Sequence, residues 1–260
     1  MPNSHFLYPK LPAGYRLLRL ETVDSTNAEA RRRADAGEPG PLWVWSLRQS
    51  AGRGRNGRSW QSQPGNLFAS LLIGLNCSLA MASQLALLAG VAAYDAIAKL
   101  LPETAGTDLV LKWPNDVLIK GDKVAGMLLE SASEKTPDRC KVVIGTGINL
   151  VNHPDGLPQP ATNLAAHGAT VTAHAALESL ADLTDAWLTR WGEGMSFPTV
   201  RRAWLDRAGP MGRPLKVLLK DQEEAEGTFA GLDSGGALRL LTGDGVERRI
   251  AAGDVFFAKP

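Results

Sequence analysis

Between two short apolar runs, residues 43–47 and 67–75, the chain carries a polar, glycine-rich stretch, residues 49–66, with neither a helical nor a strand period. A loop of that length inside a compact domain is generally functional. The flanking runs read as strands, and the order of elements around them follows from local signals. Residues 15–22 suggest a strand, and Thr26 with Glu29 three positions on has the form of a capping box opening a helix that stops near Gly37. Arg31, Arg32 and Arg33 on that helix are expected to face solvent. Residues 83–101 read as a buried helix and residues 109–112 as a strand halted by Pro114. Residues 116–120 and 123–130 then flank Gly121-Asp122, a two-residue hairpin signal.

Residues 141–151 alternate β-branched residues with glycines. Residues 172–191 form an amphipathic helix whose Ala176, Leu180, Leu183 and Trp187 are core positions, and residues 197–207 a second helix with Pro198 in its first turn. After Gly209 the character changes to short strands punctuated by Asp233-Ser234-Gly235-Gly236 and Gly243-Asp244-Gly245, which suggests a small β-barrel. A length of 260 residues suits one large unit and one small one, and the boundary is expected near residue 209, giving units 1–208 and 209–260.

A hydrophobic fraction of 44% against 21% charged residues is that of a globular protein with a sizeable core. A net charge of +1 supplies no global field for nucleic acid or an anionic membrane, so any anion has to be met by locally clustered cations. Cys77 and Cys140 lack metal or redox spacing and read as reduced, half-buried thiols. The first fifteen residues have neither the basic start nor the apolar core of a signal peptide. The apolar stretch 67–101 is interrupted by Asn76, Gln84 and Asp95, so it reads as strand plus core helix rather than a membrane span. His5, His153, His167 and His174 show no ligand-like grouping.

Four segments carry chemistry. In Gly52-Arg53-Gly54-Arg55-Asn56-Gly57-Arg58, followed by Ser59-Trp60, glycines let backbone N–H groups converge on an anion while arginines add planar donor forks. A solvated basic loop or an RNA-binding segment has the same composition. In Lys112-Trp113-Pro114-Asn115-Asp116, with Lys123 brought back by the hairpin and Gly126 following, two lysines and a carboxylate meet at a strand end. Such residues also serve simply to protect a sheet edge. Gly145-Thr146-Gly147-Ile148-Asn149 puts glycines inside a strand, where a ligand can approach the backbone or a plain bulge can form. Asp24-Ser25-Thr26-Asn27 caps a helix with hydroxyls that can also face a ligand.

Taken together and in this order, these segments resemble the catalytic domain of biotin protein ligases: the STN of Ser25 to Asn27, the GRGRNGR of Gly52 to Arg58 with Trp60, the KWPND of Lys112 to Asp116, the KVAGMLLE of Lys123 to Glu130 and the GTGIN of Gly145 to Asn149. The resemblance extends into the C-terminal unit through Gly231-Leu232-Asp233 and Gly253-Asp254-Val255. It implies an α+β fold, a mixed sheet flanked by helices like that of class II aminoacyl-tRNA synthetases, with residues 1–208 as the biotin- and ATP-binding catalytic domain and 209–260 as an SH3-like barrel. It implies biotin and ATP as substrates, Mg²⁺ as cofactor, and a biotin carboxyl carrier protein domain as partner.

The resemblance further implies that Ser25, Thr26, Asn27 and Gln49 contact the biotin ring, and that Arg53, Gly54 and Arg55 belong to a loop folding over the intermediate. Lys123, Arg55 and Lys112 are the implied catalytic groups. Arg53, Arg55, Arg58, Trp60, Lys112, Asn115, Asp116 and Asn149 are expected on the nucleotide side, with Asp116 as a Mg²⁺ ligand; Gly126 and Gly145 line the biotin chain. Asn56 departs from the arginine or histidine common in the family. Repressor members carry an N-terminal helix-turn-helix domain, whereas only a short lead precedes the first catalytic strand here, so DNA binding is not expected. A cytoplasmic monomer or homodimer is expected, a dimer pairing through an exposed sheet edge. The rival readings are a lipoate or octanoyl transferase of the same superfamily, and a nonenzymatic biotinyl-adenylate sensor or RNA-binding module.

Overall fold

The computed structural model describes residues 8–103, 108–219 and 223–257. Its main sheet has strands β1 (Arg16–Val23), β2 (Leu42–Gln49), β3 (Leu67–Leu75), β4 (Leu109–Lys112), β5 (Asp116–Ile119), β6 (Asp122–Thr136) and β7 (Arg139–Ile148), in the order β1-β2-β3-β7-β6-β5-β4. Only β1 and β2 run parallel; every other neighbouring pair is antiparallel. The sheet is therefore mixed, as expected.

Side-chain alternation decides which face each helix covers. On β2, Trp43 and Trp45 point to the face covered by α3 (Leu85–Leu100) and α4 (Ala173–Trp191), while Leu42 and Val44 join Ala30 and Ala34 of α1 (Thr26–Asp35) on the other. The wide face is largely apolar on the central strands β2, β3, β6 and β7. Helix α3 lies in the middle of that layer, with Leu85, Leu88, Val91, Ala92 and Ala93 wholly buried. The stretch 79–100, which includes α2 (Leu79–Ala82), is apolar and long enough to cross a bilayer by composition alone. Its burial marks α3 as a core helix. Asp95 of α3 accepts from Trp187 Nε1 of α4 at 2.9 Å and from Arg207 Nε of α5 (Phe197–Arg207) at 2.7 Å, so one carboxylate ties the three helices together.

The opposite face is covered by α1 alone, a helix of ten residues. It packs over Leu72 of β3 and Val143 of β7 and leaves the neighbouring stretch of the same face open. That opening becomes the site.

Strands β8 (Pro214–Leu218), β9 (Glu224–Leu232), β10 (Leu238–Leu241), β11 (Glu247–Ile250) and β12 (Asp254–Phe257) form a second, antiparallel sheet in the order β11-β10-β9-β8-β12. Arg201 of α5 donates to the carbonyls of Leu232 and Asp233, the latter at 2.7 Å, and Trp113 Nε1 donates to Gly236 O at 3.1 Å. The β4–β5 turn is thereby fastened to the second sheet.

Two local expectations shift by one residue. The cap of α1 is Ser25, whose Oγ accepts from Ala28 N at 3.4 Å, because the Thr26 hydroxyl is turned inward; Glu29 binds Arg32 and Arg33 instead of closing a capping box. The β5–β6 turn is Lys120-Gly121, with φ of 52° and 89°, because Asp122 already pairs with Ile119. Both central residues of such a turn need positive φ. Cys77 and Cys140 are nearly fully buried rather than half-buried, both are free, and burial pushes the Cys77 thiol up to about 11.

The turn is open to a direct test. A methyl group on Gly121 meets nothing within 4 Å, so the cost of Gly121→Ala comes from its backbone conformation alone. The expected loss is about 1–2 kcal/mol, read as a lower thermal midpoint; an unchanged midpoint would show that this turn does not limit stability.

Candidate active site

The open part of the α1 face is a patch of paired positions on three adjacent strands. Phe68 pairs with Gly147 and Gly147 with Gly126; Ser70 pairs with Gly145 and Gly145 with Leu128. With glycines at those positions the patch becomes a hollow, the floor of a cavity of about 690 Å³. Each residue expected at the site borders this cavity.

At one end stand Ser25, Thr26, Asn27 and Gln49. The Gln49 carbonyl accepts from Thr26 N at 2.8 Å and from Thr26 Oγ1 at 3.1 Å, and its amide donates to Ser62 Oγ at 3.0 Å. Ser70 Oγ lies 2.8 Å from Thr26 Oγ1 and 2.6 Å from Asn27 Oδ1. The Asn27 amide donates to Glu130 Oε2 at 2.8 Å and to Leu128 O at 3.3 Å. A Cβ on Gly145 would come within 2.0 Å of Asn27 Oδ1, so glycine is what admits that side chain to the pocket. This end is neutral and rich in oriented donors and acceptors.

The other end is cationic. Asp116 at the start of β5 receives Lys123 Nζ at 2.6 Å on one carboxylate oxygen and Lys112 Nζ at 3.2 Å on the other. Burial raises the Asp116 carboxyl, but the Lys123 and Lys112 ammoniums outweigh it and hold the group below its ordinary value. Burial pushes the Lys112 ammonium down, with Asp116 opposing. Lys112 is only 6% exposed and also donates to Gln159 Oε1 at 2.9 Å, whereas Lys123, at 26%, faces the cavity. The Trp60 indole covers Gly126 and Gly147, where a Cβ would meet its ring at 3.0 and 2.5 Å, and lies 5.4 Å from Lys123 Nζ. Asn149 borders this end, but its amide is committed to Thr162 O at 3.0 Å.

Asp116, the expected Mg²⁺ ligand, stands here in a cluster of ion pairs. Both of its oxygens are taken by ammonium groups, and among the described residues no three His, Cys, Asp or Glu side chains converge as a metal site.

The arginine loop borders the cavity, with Arg53 and Arg58 exposed and Arg55 more buried. Residues Arg53 and Ser59 pair across it, and Arg55–Gly57 form a short 3-10 turn. Arg53 reaches Glu130 at 3.1 Å. Arg55 donates to Asn115 Oδ1 at 3.1 Å and to Gly253 O at 2.9 Å, and burial pushes its guanidinium below the ordinary value. Arg58 reaches Asp254 at 2.6 Å, and Asn56 donates to the same carboxylate at 3.2 Å. Gly54 follows Arg53 on the cavity side. All three arginines turn to partners within the chain, unlike those of an extended RNA-binding arm.

Sequence reading missed Ser70, Glu130, Asp254 and Gln159. Ser70 is the lone hydroxyl in an otherwise apolar strand, a signal that alternation could have used. Glu130 closes a quoted motif and Asp254 lies in another, yet neither was assigned a partner. Gln159 sits in the proline-rich segment after β7 and carries no local signal.

The chain belongs to the biotin/lipoate A/B protein ligase family, whose model matches residues 20–149. Residues 211–258 match the biotin protein ligase C-terminal domain. It is 39% identical to the biotin–[acetyl-CoA-carboxylase] ligase of Paracoccus denitrificans over 92% of this chain and 99% of that one. Identity to the bifunctional ligase/repressor BirA of Bacillus subtilis is 31%, over 92% of this chain and 73% of the repressor. Among solved structures, the biotin protein ligase of Aquifex aeolicus in complex with biotin and ATP superposes with a TM-score of 0.76 at 27% identity, covering 94% of this chain and 99% of that one.

The ionic cluster has a thermodynamic signature. Because Asp116 is held below its unfolded-state value of 3.8, its contribution to stability is complete above that pH and fades as pH falls through the lower folded-state value. Asp116→Asn leaves two ammoniums facing each other, and a loss of about 3 kcal/mol is expected at neutral pH. The variant should also lose stability less steeply below pH 3.8 than the wild type. Parallel acid-side unfolding curves for both proteins would remove Asp116 from that role.

Proposed function

We propose that this protein is a biotin protein ligase: it activates biotin with ATP to biotinyl-5′-AMP, then transfers the biotinyl group to a lysine of a biotin carboxyl carrier protein. The observation that carries the reading is a single cavity whose two ends differ in chemistry. One end offers neutral hydrogen-bonding groups suited to a cyclic urea; the other gathers Lys112, Lys123 and Asp116 where a carboxylate and a phosphate have to meet. The named activity of the Paracoccus relative and the ligands of the Aquifex complex support it. ATP use and two free thiols are consistent with a cytoplasmic setting. Mg²⁺ is counted with the triphosphate as part of the nucleotide substrate.

In the first half-reaction a biotin carboxylate oxygen attacks the α-phosphorus, the bond to the bridging oxygen breaks, and pyrophosphate leaves. The obstacle is repulsion between two anions. Lys123, half-exposed to the cavity and oriented by Asp116, is the group we assign to the reacting oxygens; Lys112 keeps Asp116 from neutralising it fully. Ser25, Thr26, Asn27 and Gln49 hold the ring end, and Gly126 and Gly145 leave room for the chain. Arg53, Arg55, Arg58, Trp60, Asn115 and Asn149 flank the adenylate. In the second half-reaction the carrier lysine amine attacks the acyl carbon and AMP departs. Until then the loop from Gly52 to Arg58 keeps water from the mixed anhydride.

Lys123→Ala is expected to lower biotin-dependent exchange of labelled pyrophosphate into ATP by roughly 10²–10³-fold, with a lower melting temperature because Asp116 loses its nearer counter-charge; near-normal exchange by the folded variant would refute the assignment. Arg55→Gly is expected to release more biotinyl-adenylate, measured as greater labelling of added free amines than with wild type. Equal labelling would count against the loop as a cover.

A further inference from the structure

Glu130 belongs to none of the groups assigned above, yet it joins two of them. It lies on β6 on the same face as Gly126 and Leu128, with its side chain 14% exposed. Asn27 Nδ2 donates to its Oε2 at 2.8 Å, while Arg53 and Arg31 approach its Oε1 at 3.1 and 3.6 Å. A primary amide offers donors on one side and an acceptor on the other, and shape alone does not choose between the orientations. A carboxylate flanked by arginines can only accept. Glu130 therefore draws the Asn27 NH₂ group toward itself and Leu128 O, turning Oδ1 the other way. Ser70 Oγ fixes that oxygen from the opposite side at 2.6 Å, over the hollow left by Gly145.

We infer that Glu130 is a positioning residue: it sets the amide polarity of Asn27 so that this end of the cavity presents an oxygen acceptor and selects a ligand with an N–H donor. Through Arg53 the same carboxylate ties the root of the cover loop to the ring end of the pocket. The inference rests on the biotin reading and narrows it, since the selected feature is then the ureido N–H and not merely the size of the bicycle. A dithiolane or a plain acyl chain has no donor to offer there. Ser70 occupies one lone pair of the buried Asn27 oxygen, and leaving the second without a donor is the penalty that separates such ligands from a ureide.

The test compares equilibrium binding of biotin with that of its two N-methyl ureido analogues, on wild type, Glu130→Gln and Glu130→Asp. Wild type is expected to disfavour the worse analogue by roughly tenfold or more. Glutamine can donate as well as accept, which frees the Asn27 amide to rotate, so Glu130→Gln should weaken biotin roughly tenfold and shrink the discrimination to ~threefold or less. Glu130→Asp remains acceptor-only and should retain the discrimination even where affinity falls. In pyrophosphate exchange the Glu130→Gln effect should appear in the KM for biotin, with the KM for ATP nearly constant.

Wild-type discrimination in Glu130→Gln would overturn the inference. Should that variant fail to fold, Ser70→Ala carries the test: releasing Asn27 Oδ1 should narrow the same ratio, and an unchanged ratio would overturn the inference equally. Wild-type protein that neither binds biotin nor exchanges pyrophosphate would instead defeat the parent reading. Tight biotin binding with a ratio insensitive to Glu130 and Ser70 defeats this inference alone.

Discussion

The Asp116 carboxylate between two ammonium groups is the interaction on which the rest of the site depends. Lys112 is almost out of contact with water, and a buried ammonium without a counter-charge is driven toward its neutral form. Asp116 supplies that counter-charge to Lys112 and pairs with Lys123 as well, so the cluster sets two basic side chains against one carboxylate. The main chain sets this up before any ligand arrives. Lys112 and Asp116 face each other across the β4–β5 pair, and a shift of register between Val117 and Leu118 brings Lys123 back to the same end. A charge held by the sheet needs little reorganisation when an anion develops beside it, which is how fixed groups lower a barrier more than mobile ones do.

The second sheet completes the site. Gly253 and Asp254 receive Arg55, Asn56 and Arg58, so the cover loop is held at its far end by the second sheet and at its root by Glu130 of the first. Asn115 of the β4–β5 turn binds both Arg55 and the carbonyl of Met127, which links the loop directly to the strands that carry the lysines. Asn56, a neutral amide between two arginines of the loop, also finds a carboxylate. The positive charge that the loop brings to the cavity comes from Arg53, Arg55 and Arg58.

Much of this was legible in the sequence because it rests on local rules. Glycines in strand positions marked where a ligand could approach the floor, and Lys112, Asp116 and Lys123 lay close enough in sequence for a hairpin to bring them together. The main elements followed from periodicity. Features requiring contacts distant in sequence were not legible: Glu130 meets Asn27 across 103 positions and Arg55 meets Gly253 across 198. The ion pairs of Asp116 have the same root. An isolated carboxylate beside lysines reads equally well as a metal ligand or an ion-pair partner, and only the register showed that both oxygens were already engaged. The one-residue shifts at Ser25 and Lys120 arose because tertiary demands on Thr26 and Asp122 overrode the local turn and cap signals.

The loop's partners also bear on how a closed cover can remain reversible. An arginine waiting unpaired for a phosphate would gain strongly on binding it, but would repel the lysines beneath and disfavour closure in the free protein. Here Arg53 and Arg58 already rest on carboxylates, and about half of each side chain remains exposed. Binding an anion then exchanges one charge-assisted partner for another, and the net gain is the small difference between two similar pairs. Arg55 differs, being more buried and held by a neutral amide and a carbonyl, with Asp254 at 4.0 Å. Its charge is the least compensated of the three, so it has the most to gain from a phosphate. The loop thus combines two arginines already resting on carboxylates with one held only by a neutral amide and a carbonyl.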